Sequence, residues 1–338
     1  MRILAVNHRD AAAYYRLIEP LSILSLSEGL DVTFTRSPQV AAAEEYDVLW
    51  LQMDYGGDIE VVAREFQALG GKVIYDVDDW LFTYPPSWCN YDLYFERGTG
   101  RQKPALESHE RLIRLADMVT TTTEYLAAKI RELRSGVYRI LPNCVLQGDW
   151  DTLIAPQHNV KAPVIGWFGT GNHWEEWYEL APVLDEVLEY IDGSLALIGA
   201  PEVLACFPDR LAARTYWTPL VSMASFETIR RAIITFDVGI AWCTDRLETA
   251  KCRSPLKALQ YGAAGVPVFA SDTVYGDVLG RDTFGFTFQT PEDMALTLME
   301  MHGEAWQEMQ LRAAAWQERV WSYHTYETQS QHWLEVLA

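Results

Sequence analysis

Arg253-Ser254-Pro255-Leu256-Lys257-Ala258-Leu259-Gln260-Tyr261-Gly262-Ala263-Ala264-Gly265-Val266-Pro267-Val268 is the stretch on which the reading of the fold turns. Ser254 is a strong N-cap residue type, and Pro255 suits the first helical position, where a missing N–H costs nothing. Gly265 suits the helix stop, because a left-handed residue there satisfies the last carbonyls. The run Val266–Ser271 then reads as a buried strand, so the stretch is the helix-to-strand half of a βαβ unit. Arg253, Lys257 and Gln260 fall at i, i+4 and i+7 and share one helix face. Two cations at a helix start oppose the dipole, whose positive end is already there. A bound anion resolves that conflict, which is the physical reason to expect a phosphate site. Arg grips phosphate bidentately, Lys adds a point charge, and Gln260 one turn deeper reaches neutral hydroxyls such as those of ribose. The plainer alternative is that Arg253 and Lys257 solvate a helix face or pair with Glu248.

Upstream, Val164-Ile165-Gly166-Trp167-Phe168-Gly169 runs into Thr170-Gly171-Asn172-His173-Trp174 and then a helical pattern. A glycine-bearing loop between strand and helix lets backbone N–H groups approach a pyrophosphate or sugar. His173 at the helix start is either a donor to such a ligand or a plain cap. Strand-like and helix-period segments alternate along the whole chain, which predicts an α/β protein with parallel sheets. Strands are expected at Arg2–Val6, Val32–Thr35, Val48–Gln52, Lys72–Asp76, Met118–Thr121 and Tyr138–Leu141, with a first helix near Ala13–Glu28. Thr121 and Glu124 have capping-box spacing. The segment Leu146–Pro163 loses periodicity, and the alternation then restarts with strands at Val164–Phe168, Leu195–Gly199, Thr215–Trp217, Val238–Trp242, Val266–Ser271 and Gly285–Phe288. The expected organisation is a first doubly wound domain over 1–150, a linker over 151–163, a second over 164–320 and a terminal helix over 321–338. The cleft between two such domains is the default ligand site.

In the first half, Asp76-Val77-Asp78-Asp79-Trp80 stands at the carboxyl end of a strand, where α/β ligands bind. Asp76 and Asp78 are expected on one face. Three uses compete: a metal-binding Asp-x-Asp pair, carboxylates that hold or deprotonate an acceptor hydroxyl, and Asp79 as a turn cap. Cleft lining is the favoured use. His8, Arg9 and Arg16 follow the first strand and open onto the same edge, and His109, expected near a helix start, is a further acceptor-side candidate. Arg111, Arg114, Lys129, Arg131, Arg134 and Arg139 form the main basic cluster, read as a solvated surface.

With 338 residues, 49% hydrophobic and 22% charged, the chain has ordinary globular composition. The formal net charge of −20 repels phosphate backbones and anionic lipid surfaces, so neither nucleic acid nor membrane is an expected partner. The five cysteines (Cys89, Cys144, Cys206, Cys243 and Cys252) contain no CxxC pair, which argues against a zinc knuckle or disulfide framework and for a reducing cytoplasm. The apolar start Met1–Val6 is too short for a signal peptide, and Gly262, Gly265 and Pro267 break the longest apolar stretch.

The pattern around Ser254, Lys257, Gln260, Tyr261 and Gly265-Val266-Pro267-Val268 resembles the donor-site helix of GT-B glycosyltransferases, in particular the retaining family-4-like group (glycosyl transferases group 1). Gly166 through His173, Phe236–Ala241, Leu141-Pro142-Asn143, Ala116–Thr120 and Tyr75–Asp79 also resemble elements of that group, so the likeness covers most of the chain. It implies two Rossmann-like domains facing each other across a cleft, with the C-terminal helix returning to the first. It implies that Arg253 and Lys257 hold the diphosphate of a UDP- or GDP-linked sugar, that Gly169, Thr170, Gly171, Asn172, His173 and Ser254 border it, that Gln260 meets the ribose, and that the region from Thr218 borders the base. It implies transfer to a hydroxyl acceptor with retention and with no required cofactor; Asp78 is a further catalytic candidate, and a divalent metal is the less favoured reading. The group's two glutamates fall where this chain has Cys252 and Gln260. A sugar-nucleotide epimerase and a nucleotide-sugar-binding protein without turnover are the alternatives.

Overall fold

The computed structural model describes residues 1–6, 10–37, 44–153, 162–199, 201–219, 225–300 and 304–337. Among them are two six-stranded sheets, with every strand pairing parallel. The first comprises β1 (Arg2–Val6), β2 (Asp31–Thr35), β3 (Val48–Gln52), β4 (Lys72–Val77), β5 (Met118–Thr121) and β6 (Val137–Ile140), in the order β2-β1-β3-β4-β5-β6. The second comprises β7 (Val164–Gly169), β8 (Ser194–Gly199), β9 (Thr215–Pro219), β10 (Val238–Ala241), β11 (Val268–Ser271) and β12 (Phe286–Phe288), in the order β12-β11-β10-β7-β8-β9. Central strands such as Val-Leu-Trp-Leu-Gln of β3 and Val-Phe-Ala-Ser of β11 are buried along their whole length, because helices cover both faces of a parallel sheet. In the second sheet the winding reverses between β7 and β10, the kind of switch point at whose carboxyl ends α/β folds bind their ligands.

Helices 57–68, 104–115 and 124–133 cover one face of the first sheet, and Glu19–Glu28 and Tyr326–Leu337 cover the other. The last helix is anchored by Trp333, which stacks on Trp50 at 5.7 Å, and by Lys72 Nζ donating to the Val336 carbonyl at 2.9 Å. Helix Glu304–Tyr323 packs on helix Leu256–Ala263, where Trp316 Nε1 donates to the Ala258 carbonyl at 2.8 Å. Gly262 permits that approach: a Cβ there would lie 2.3 Å from Trp316 Nε1. Gly265, at φ 70°, ends the helix in the left-handed region as expected.

Three local expectations need correction. The first helix is not continuous: Asp10–Ala13 passes through a π-helical turn, Tyr14–Ile18, before Glu19–Glu28. Pro20 has no N–H to offer the carbonyl of Arg16, so the regular ladder breaks there. Ser254 makes no cap bond, and the helix begins at Leu256 because the Ser254 hydroxyl is engaged by Asn143 at 2.7 Å. Thr121 belongs to β5, and Thr123 is the cap instead, accepting from the Leu126 N–H at 3.2 Å.

Candidate functional site

Arg253 and Lys257 turn toward the segment that follows β7. Arg253 Nη2 donates to the Asn172 carbonyl at 2.7 Å, Nη1 pairs with Glu176, and the guanidinium lies 5.0 Å from the Trp88 ring centroid. Lys257 Nζ is 2.9 Å from His173 Nε2 and about equally near the rings of Trp167 and Phe168, at 5.6 and 5.7 Å. An ammonium only donates, so Nε2 accepts and the His173 proton sits on Nδ1, where it is donated to Glu176. Arg253 Nη1 lies 2.8 Å from the same Nδ1; because that atom carries the ring proton, Nη1 gives its hydrogen to Glu176 Oε1 and not to the ring. The strand-to-helix connection positions both partners: β7 delivers the turn Gly171–His173, and Glu176 follows one helical turn later.

Burial and charge act in opposite senses here. Burial pushes the Glu176 carboxyl up, but Arg253 and His173 outweigh it and hold the group ionised, well below its ordinary value. Burial, reinforced by Arg253, pushes His173 far below its ordinary value, so the ring is neutral. Burial lowers Lys257 to about 8, and its neighbour Arg253 adds to that, while Glu176 opposes it. Arg253 keeps its charge, because Glu176 overcomes the cost of burial.

The first lobe closes over this cluster. Trp88 covers Arg253, Ser87 Oγ bonds to Glu175, and Cys89 Sγ contacts Asn172 Oδ1 at 3.2 Å. Asp79 accepts from the Trp80 N–H at 2.9 Å, from Tyr84 and from Thr249 Oγ1 at 3.4 Å. Lys129 reaches Glu248 at 2.5 Å, and Gln260 Nε2 donates to Tyr15. A buried cationic centre therefore lies between two sheet-built lobes, beside a glycine-bearing loop.

No protein-family model matches the chain, and no curated protein sequence matches it. Solved structures do. HepE from Anabaena, in complex with UDP and glucose, aligns over 100% of this chain and 99% of its own at 13% identity and a TM-score of 0.68. An alpha-glucosyltransferase in complex with UDP-glucose and DNA containing an abasic site aligns over 100% and 99% at 12% identity and 0.64. Sucrose-phosphate synthase from Thermosynechococcus elongatus aligns over 100% and 98% at 13% identity and 0.62. The chain has the GT-B fold.

Of the loop Gly169, Thr170, Gly171, Asn172 and His173, the last two contact the cations, Asn172 through Arg253 and His173 through Lys257, while Ser254 is bonded by Asn143. Gln260 is buried on the same helix, and its Oε1 has no partner among the described residues. Thr218 is exposed on the edge strand β9, and residues 220–224 lie outside the described residues, as do His8 and Arg9. Asp78 and Asp79 remain half-buried beyond β4, Asp78 accepting from Gln52 Nε2 at 2.9 Å.

Three acceptor-side expectations are overturned. Arg16 and Asp76 do not line the cleft: both side chains are 0% exposed and pair with each other at 2.6 Å, and Arg16 also donates to Asn143 Oδ1 at 3.1 Å. Thr120 bonds the same Asp76 oxygen at 2.6 Å, so both carboxylate oxygens are committed and the Asp76–Asp78 metal pair loses a ligand. His109 lies in the middle of helix Pro104–Leu115, not at its start, and is buried against the Tyr75 hydroxyl at 2.7 Å. The basic cluster is largely ion-paired, for example Arg111 with Glu60 at 2.7 Å, and Arg134 donates to the carbonyls of Ile113 and Ala116. Glu248 pairs with Lys129 rather than with Arg253.

Sequence reasoning missed Glu176 and Trp88, whereas Tyr15, expected beside Arg16 at the cleft edge, does reach the site through Gln260. Glu176 carried a signal, since it stands three residues after His173 at helical spacing. Trp88 reaches the site from the other lobe, and no local pattern marks such a contact.

Proposed function

We propose that the protein transfers a sugar from a nucleoside-diphosphate donor to a hydroxyl acceptor. The reading rests on the turn of Arg253 and Lys257 toward the loop after β7, with the first lobe folded over them. Both cations and the free N–H groups at the start of the 256–263 helix would face the diphosphate where negative charge grows as it departs. The bond from the anomeric carbon to the phosphate oxygen breaks, the acceptor oxygen forms the new bond, and its proton passes to the departing phosphate. Attack on the face that the leaving group vacates gives retention. UDP is the favoured carrier, because the HepE and alpha-glucosyltransferase structures hold UDP or UDP-glucose. Gln260 would meet the ribose with the amide oxygen that lacks a partner, and Asp78 and Asp79 would border the acceptor.

A second reading, binding without turnover, is favoured by Cys252. That side chain is fully buried and packs with the first lobe's core, so it offers no carboxylate to a donor sugar. Calorimetric titration with UDP, GDP and their sugars, followed by transfer assays, separates these readings. Arg253→Ala with Lys257→Ala is expected to abolish nucleotide binding, and unchanged affinity would refute the assignment. Tight binding with neither transfer nor hydrolysis across the donor panel favours the second reading, and conversion of the donor without acceptor identifies an epimerase.

A further inference from the structure

Glu176 has no task in sugar transfer as derived above, yet its side chain is only 3% exposed at the heart of the cationic cluster. A buried carboxylate beside a pocket for an anionic ligand repels that ligand. Its two oxygens divide the work: Oε1 accepts from Arg253 Nη1, and Oε2 accepts from His173 Nδ1. The second bond fixes the His173 tautomer, which leaves Nε2 as the acceptor that orients the Lys257 ammonium.

We propose that Glu176 is a positioning residue for the donor diphosphate: it clamps the Arg253 guanidinium directly and orients the Lys257 ammonium through His173. The proposal rests on the donor-site reading. Arg253 is held between the Trp88 ring, the Asn172 carbonyl and the Glu176 carboxylate, which fixes the plane of its fork. A preset fork spends less conformational freedom on gripping phosphate. Glu176 also supports the charge on Lys257. The groups facing Lys257 are His173 and Glu176 from the segment after β7, the Trp167 and Phe168 rings of β7, Cys243 after β10, and Arg253 from the preceding turn. Removing Glu176 deletes an attraction and leaves the repulsion from Arg253.

The test is UDP titration of the full chain across pH. Wild type is expected to bind UDP up to the pH at which Lys257 loses its proton. Glu176→Gln is expected to bind about tenfold more weakly at neutral pH, with the alkaline loss of affinity moved about one unit toward acid. Glu176→Asp, which keeps the charge, is expected to retain the wild-type alkaline limb. A folded Glu176→Gln protein with unchanged or tighter affinity and an unmoved limb overturns the proposal. Absence of UDP binding by wild type at every pH overturns the donor-site reading itself, and the proposal with it. Should Glu176→Gln not fold, nitrogen NMR of the wild-type histidine rings, with the His173 signals identified by their loss in His173→Gln, decides the matter. A neutral Nδ1–H ring from about pH 5 to about pH 8 is expected, and an Nε2–H or protonated ring in that range overturns it.

Discussion

Lys257 carries its charge where burial resists it, and that makes it the cluster's pH-sensitive cation. Its value of about 8 means that the ammonium is present below that pH and lost above it. Phosphate affinity should therefore hold through neutral pH and fall as pH rises past about 8, while Lys257→Arg, charged throughout, should keep its affinity in alkali. A calorimetric pH series checks both. Glu19 behaves in the opposite sense. Burial, helped by the neighbouring Asp149, raises its carboxyl from 4.5 to about 9. Across that window the folded chain keeps a proton that the unfolded chain has released, so stability falls as pH rises. Glu19→Gln should flatten that slope in urea melts recorded at several pH values.

At the scale of elements, the π-helical turn Tyr14–Ile18 turns Arg16 into the first lobe's core. There it is bonded to Asp76, Asn143 and the Leu141 carbonyl. Asn143 in turn donates to Ser254 at the foot of the 256–263 helix, so this buried pair reaches the candidate site through one residue. Asp76→Ala would strand a buried guanidinium, a loss of about 3–5 kcal/mol by urea denaturation. Loss below ~1 kcal/mol would mean that water or another carboxylate replaces the pair. The same elements show how far local pattern reaches. Strand positions in β1, β3 and β5 were legible to the residue, because continuous apolar runs between turn signals have few other uses. The helix start at Leu256 and the cap at Thr123 were not, because tertiary partners compete for the Ser254 hydroxyl and the sheet claims Thr121.

For the whole molecule, the cross-lobe contacts from Trp88, Lys129, Asn143 and Tyr15 make the cleft a joint product of both sheets. A ligand that binds there selects the folded, closed chain. UDP at 100 times its dissociation constant should add about 2.7 kcal/mol and raise the melting temperature, and the Arg253→Ala, Lys257→Ala protein should show no shift. No helix among the described residues is long and apolar enough to cross a membrane.

The sequence by itself determined the two wound sheets, their strands, and the cation pair at the head of one helix. These follow from hydrophobic period, glycine stops and local charge, all written in neighbouring residues. Only the tertiary structure decided which polar groups are spent on the core and which are free for a ligand. Arg16 and Asp76 have the same residue types as cleft-lining groups, yet in the interior they are satisfied by each other together with Asn143, the Leu141 carbonyl and Thr120. Glu176 and Trp88 acquire their meaning from partners far along the chain. Burial and pairing are properties of three-dimensional neighbours, and one-dimensional spacing does not encode them.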